Sequence, residues 1–380
     1  MRIAVLSHLR HPVARPFMGG MEAHSWHLVR GLVARGHDVT LFASGDSDPQ
    51  GAELVPVLPR HYDADYPWGD FHGTEALNTY QDEAIAAILP RLRAFDVVHN
   101  NTLHRYPPRL ARRDRVAMVS SMHVPPFPAL RDAVQDAPAP WSLITTCSHK
   151  QVGAWWPDGA PRAARVVPNG IDMADWPFVA RGDGSAAWAG RITPNKGPHL
   201  ALEAARIADV PLTLYGAIED QGYFDRALRP LLDDERRYGG HLSGADLARD
   251  IGRASVLLFT PLWDEPFGLV AIEAMACGLP VAATDMGAVR EVVGEAGRFA
   301  PPDDPGALAA ALRAAMTIPR RLPHDRVARH FSLERMLTGY EALYAEAQRS
   351  VTAPFPPAPD FGPRLLPPAA VALPPKLAAE

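Results

Sequence analysis

The sequence predicts a doubly wound α/β protein of two domains. Three observations lead there. Short apolar runs rich in β-branched residues alternate with amphipathic helical stretches, the signature of parallel strands joined by crossover helices. The alternation restarts after a polar, Gly- and Pro-containing stretch at 172–184. The length, 380 residues, is that of two to three domains with cores large enough to need no staples.

In the first half, strands are expected at 2–6, 37–43, 53–58, 96–99, 116–121, 143–147 and 165–167, with helices at 21–35, 74–93 and 148–155. The helix at 21–35 carries Leu28 and Leu32 at helical spacing and stops at Gly36. In the second half, strands are expected at 186–189, 211–215, 256–260 and 281–284. Helices are expected there at 198–208, 223–235, 245–253, 268–277 and 287–293, followed by 305–316 and 333–348. The expected division is 1–170 and 171–330 as the two domains, with 172–184 as linker. A helix within 331–350 would pack back on the first domain. Residues 351–380 hold nine prolines in thirty positions and read as an extended, poorly ordered tail.

Composition narrows the function. With 38 basic and 43 acidic residues, the formal net charge of −5 argues against a dedicated nucleic-acid binder. Two cysteines, Cys147 and Cys277, exclude a disulfide scaffold and a Cys-rich zinc site. The opening MRIAVLSHLR lacks the apolar core and cleavage site of a signal peptide. The longest apolar runs, such as 254–262, fall short of the ~20 residues a spanning helix needs. A cytoplasmic protein is expected, with room for peripheral membrane contact and the oligomeric state open. Only Lys150, Lys196 and Lys376 are lysines; the other 35 cations are arginines, so a lysine inside a sharp motif is informative.

In open parallel sheets, ligands bind outside the carboxyl ends of the strands, so the motifs that matter follow strands. Gly19-Gly20-Met21-Glu22 opens the first helix, where backbone can approach a ligand and free N–H groups attract an anion; taken alone, a bare glycine pair favours the alternative of an ordinary glycine turn. Gly190-Arg191-Ile192-Thr193-Pro194-Asn195-Lys196-Gly197 follows the first strand of the second domain. Arg191 and Lys196 on one loop suit a diphosphate, the alternative being a solvated basic turn. The most specific segment is Asp264-Glu265-Pro266-Phe267-Gly268-Leu269-Val270-Ala271-Ile272-Glu273-Ala274-Met275-Ala276-Cys277-Gly278. Its helix opens near Gly268, and the amides around Phe267–Val270 offer a phosphate site. Glu273 lies in an otherwise apolar stretch and needs a partner, either sugar hydroxyls or a structural ion pair. His123, just past a strand, can serve a sugar hydroxyl or proton traffic. His8 and His11 are candidates for an acceptor side, Trp155 and Trp156 for packing, and Cys277 for the core.

Taken together these motifs resemble the retaining glycosyltransferases of family 4, with the GT-B fold of two facing Rossmann-like domains and a cleft between them. The resemblance spans about 1–348 and is carried by GGME, RVVPNGID at 165–172, GRITPNKG, and EPFGLVAIEAMACGLPVAATDMGAVREVV. It implies that Gly19 and Gly20 face the donor phosphate. Arg191 and Lys196 would neutralise the diphosphate, with Pro266 and the amides of Phe267, Gly268, Leu269 and Val270 lining it. Glu265 would hold the transferred sugar, Glu273 the ribose, and His123 a sugar hydroxyl. The implied enzyme is a hexosyltransferase that needs no metal or cofactor. It would take a nucleotide-sugar donor, UDP-glucose or a related hexose, and pass the sugar to a small-molecule, glycan or lipid-linked acceptor. A nucleotide-sugar epimerase of the same fold and a non-catalytic nucleotide-sugar-binding protein are the alternatives. One departure is visible: where the family often has paired glycines, this chain has Asp285-Met286-Gly287-Ala288, and Met286 bears on the choice of sugar.

Overall fold

In a computed structural model, which describes residues 1–367, the chain divides into two compact units. Among the described residues, one comprises 1–146, 152–167 and 337–367; the other comprises 147–151 and 168–336.

The first unit is built on a seven-stranded parallel sheet: β1 (Arg2–Leu6), β2 (Asp38–Ser44), β3 (Glu53–Leu58), β4 (Val97–Asn100), β5 (Met118–Met122), β6 (Ser142–Thr146) and β7 (Ala164–Val166). Their order in space is β3-β2-β1-β4-β5-β6-β7, so the direction of winding reverses between β1 and β4. The inner strands are buried from end to end, because helices cover both faces and each face must be apolar. Helix Gly20–Ala34 packs against helix Leu333–Arg349 at Gly31, where a Cβ would collide with Leu337. Arg35 and His37 close the contact on Glu341 at 2.5 and 2.9 Å.

The second unit carries six parallel strands: β8 (Ala186–Ala189), β9 (Leu212–Tyr215), β10 (Arg236–Tyr238), β11 (Val256–Phe259), β12 (Val281–Thr284) and β13 (Gly297–Ala300), in the order β10-β9-β8-β11-β12-β13. Side chains of β11 alternate between two cores. Leu257 and Phe259 face the helices Leu269–Ala276 and Arg321–His330, while Val256 and Leu258 face Pro198–Ala208 and Pro305–Ala315. Here the winding reverses between β8 and β11.

Several expectations need correction. The stretch 172–184 is not a free linker. Trp176 is buried, Val179 N–H donates to Cys277 O and Asp183 N–H to Arg253 O, so it lies against the second unit. The helix expected at 223–235 breaks into short turns ending at Leu231, and residues 236–238 become edge strand β10; Pro230 cannot continue a helix. Edge strand β13 and the helices Tyr106–Asp114, Pro128–Asp136 and Arg321–His330 were not expected. These helices begin with or contain prolines, which in sequence read as breaks rather than as first-turn residues. The Pro-rich tail, as far as residue 367, is docked rather than loose. Arg115 donates to Val351 O at 2.6 Å and Arg112 to Pro357 O at 3.2 Å, Phe355 packs on Trp141, and Phe361 and Leu366 enter the core beside Leu110. Residues 368–380 lie outside the described part.

Candidate active site

The reversal point of the second sheet decides which loops can meet a ligand. β8 ends at Ala189 and β11 at Phe259, and the loops that follow them carry Lys196 and Glu265. Lys196 Nζ donates to Glu265 Oε2 at 2.6 Å, with side-chain exposures of 19% and 8%. The indole N–H of Trp263 donates to the same oxygen at 2.7 Å, and the Lys196 ammonium lies 4.8 Å from the centre of that indole. Arg191, on the loop shared with Lys196, pairs with Glu219 at 2.5 Å.

The backbone holding this cluster is fixed from several sides. Thr260 Oγ1 accepts the Trp188 indole N–H at 2.9 Å and lies 3.0 and 2.9 Å from the carbonyls of Lys196 and Gly197, to which it can donate. Leu262 N–H donates to Asn195 O at 2.8 Å. Ala288 N–H donates to Glu265 O at 2.8 Å. Gly287, at φ +57°, lies so close to the Glu265 backbone that a Cβ there would overlap its N and O atoms. Where the family often has two glycines, one remains, and that one makes the close approach.

Helix Leu269–Ala276 starts from Gly268 in the left-handed region (φ +90°), with no side chain capping its first turn. A Cβ on Gly268 would come within 2.6 Å of the Phe259 ring. The loop before it is anchored through Pro266 O, which accepts Ser148 Oγ–H at 2.8 Å, and through Phe267, packed edge-on to Phe331. The open N–H groups of this turn and the positive end of the helix are features that attract an anion.

Glu273 lies one turn further along this helix. Burial pushes its carboxyl up to about 7, and it has no ion pair or side-chain hydrogen bond among the described residues. The structural ion-pair alternative is thereby set aside.

On the first unit, Gly19 caps helix Gly20–Ala34 in extended conformation (φ −162°), and a Cβ on it would lie 3.1 Å from the Glu22 carboxylate. These glycines therefore leave room rather than adopt a left-handed turn. His123 follows β5, half-buried, with Nε2 at 3.3 Å from Asn101 Oδ1 and its ring 4.3 Å from His24. His99 lies wholly buried on β4, with Nδ1 at 2.6 Å from Tyr344 Oη and Nε2 at 3.0 Å from Asn101 Oδ1. Desolvation lowers His123 to about 4 and His99 to about 3, so both rings are neutral at pH 7.

The structure thus brings Lys196, Glu265 and the helix start at Gly268 together within one unit. Sequence reasoning missed Trp263, Gly287, Glu219 and Ser148. Trp263 had a signal, an aromatic N–H donor two residues before a loop carboxylate. Ser148 had none, since its partner Pro266 is 118 positions away.

Two parallel α/β units whose reversal points carry these motifs define a GT-B glycosyltransferase. Residues 182–329 match the family model of glycosyl transferases group 1, and residues 18–175 that of glycosyltransferase family 4. The chain belongs to this family. It is 28% identical to a glycogen synthase of Mycobacterium tuberculosis, over 94% of this chain and 97% of that protein. It is 30% identical to a D-inositol 3-phosphate glycosyltransferase of Geodermatophilus obscurus, over 93% and 91%. Among solved structures, Anabaena HepE in complex with UDP-glucose superposes with a TM-score of 0.70 at 18% identity, covering 91% of this chain and all of that one; this likeness concerns the fold. No helix of the described residues is long and apolar enough to cross a membrane.

Proposed function

We propose that the protein transfers a hexosyl group, with retention of anomeric configuration, from a nucleoside diphosphate sugar to an acceptor hydroxyl. The observation that carries this reading is the Lys196–Glu265 pair at the sheet's reversal point, beside the uncapped start of helix Leu269–Ala276. In the reaction the bond between the anomeric carbon and the phosphate oxygen breaks, and the nucleoside diphosphate leaves with the electron pair. The acceptor oxygen bonds to that carbon from the same face, and its proton passes to the departing phosphate oxygen. Lys196, Arg191 and the amides from Phe267 to Val270 would stabilise the charge gathering on the diphosphate, fixed in place beforehand. Two cations and a helix terminus would do the electrostatic work otherwise given to a divalent ion, so turnover is expected to persist in EDTA. Glu265 would accept hydroxyls of the transferred sugar. The roles of Gly19, Gly20 and His123, on the first unit, rest on the family pattern.

A hexose donor such as UDP-glucose is favoured by the likeness to a glycogen synthase and to a structure holding UDP-glucose. We place the reaction in the cytoplasm, where such donors are made. The test is a donor panel of UDP-glucose, GDP-mannose and ADP-glucose with glycan and small-molecule acceptors, the product anomer being read by NMR. Transfer giving an α-linkage from an α-donor supports the reading. Interconversion of the sugar without an acceptor would favour epimerisation instead, and donor binding without any turnover a sensing role.

Glu273 provides a pH test of the ribose assignment. Ribose hydroxyls donate to the ionised carboxylate, whereas the free protein keeps this group protonated below about 7. Nucleotide affinity should therefore be about tenfold weaker at pH 6 than at pH 8. Glu273→Gln should flatten this dependence, and a calorimetric titration reads both. Stability runs the other way. Because the folded value lies above the ordinary 4.5, the folded state keeps a proton that the unfolded chain loses between about 4.5 and 7. This carboxyl's contribution thus falls as pH rises through that window, and donor-free Glu273→Gln should melt higher than the parent at pH 8 and equally at pH 4.

A further inference from the structure

Glu265 and Lys196 face a conflict that their pairing exposes. The carboxylate is meant for sugar hydroxyls and the ammonium for a diphosphate, yet here each is the other's partner at 2.6 Å. When a diphosphate draws Lys196 away, a carboxylate that is only 8% exposed would lose its main counter-charge. A buried charge left unpaired is costly, and the group would relax by turning or by taking up a proton.

Trp263 is built to prevent this. Its indole N–H donates to the same oxygen, Oε2, at 2.7 Å, and Glu265 Oε1 has no hydrogen-bond partner among the described residues. The ring that carries this N–H also lies 4.8 Å from the Lys196 ammonium, offering the cation a second contact as it changes partners. The peptide between them is tight: Glu265 N–H donates to Trp263 O at 2.7 Å, so indole and carboxylate are fixed relative to each other by the chain itself.

We propose that Trp263 is a positioning residue for the transferred sugar. Its indole N–H keeps Glu265 Oε2 in place while Lys196 exchanges the carboxylate for the diphosphate, which leaves Oε1 to meet the sugar hydroxyls. The proposal rests on the reading of Lys196 and Glu265 given above, and it goes further by assigning separate tasks to the two carboxylate oxygens.

The test is Trp263→Phe, which keeps an aromatic face for Lys196 and removes only the N–H. With the donor that the unaltered protein uses best, kcat should fall about fivefold to tenfold. Affinity for the free nucleoside diphosphate, which lacks the sugar, should stay within about twofold. In a Glu265→Ala background, which removes the acceptor altogether, the same substitution should have no further effect on the residual kcat, because Trp263 acts through the carboxylate. An unchanged kcat in Trp263→Phe, a parallel loss of diphosphate affinity, or an equal fall in the Glu265→Ala background would each overturn the inference while leaving the transferase reading in place. Failure of the unaltered protein to transfer from any donor overturns both.

Discussion

Lys196→Ala is expected to lower turnover by about two to three orders of magnitude, as when a preorganised donor to transition-state charge is removed. The argument is electrostatic. Lys196 is 19% exposed, on a loop that Thr260 and Leu262 pin at residues 195–197, so its ammonium is held in a partly dehydrated setting where charge counts for more than in water. Charge on the diphosphate grows as the anomeric bond breaks, so the loss should fall on kcat more than on donor affinity. Arg191 cannot take over without leaving Glu219, its partner at 2.5 Å. Lys196→Arg should recover little, because a planar fork does not replace a compact charge between a carboxylate and an indole. The fold should survive, since Lys196 lies on a turn (Pro194–Lys196) outside the packed helices. Steady-state kinetics with a thermal melt checks this: a variant that folds and turns over at near the parent rate would remove Lys196 from the site.

Much of this was legible in the chain because the relevant signals are local. A short apolar run such as VLLF at β11, set between helical stretches, reads as a strand buried on both faces. The helix start at Gly268 announces itself by a glycine after Pro-Phe, and the near absence of lysine drew attention to Lys196. What escaped depends on contacts distant in sequence. The tail at 351–367 reads as disorder from its prolines, yet its carbonyls are taken up by Arg112 and Arg115 and its aromatics by Trp141 and the first core. The 172–184 stretch has a linker's composition, but Trp176 and the backbone bonds to Cys277 and Arg253 tie it down. At the site, EPFG and NK were visible as separate motifs. That they share one oxygen, with Trp263 as third member, follows only from the neighbouring places of β8 and β11 in the sheet.

Glu265→Gln should produce two changes of opposite sign, which misfolding cannot imitate. The amide has the carboxylate's shape, so its oxygen can still accept from Lys196 and Trp263 at the Oε2 position. The other oxygen becomes an NH2 group, and an acceptor offered to sugar hydroxyls turns into a donor. A site built to hydrogen-bond a hydroxyl loses heavily when its polarity is wrong, because the mismatched groups stay buried and unpaired. Turnover should drop about a hundredfold. At the same time Lys196 is released from a full ion pair, so a diphosphate no longer competes with a carboxylate for it. Affinity for the free nucleoside diphosphate should therefore rise by about twofold to fivefold. Isothermal titration with the nucleotide, alongside kcat for transfer, reads both directions on one preparation. A fall in both quantities would mean that Glu265 merely supports the loop, and near-normal transfer would mean that the sugar is held elsewhere.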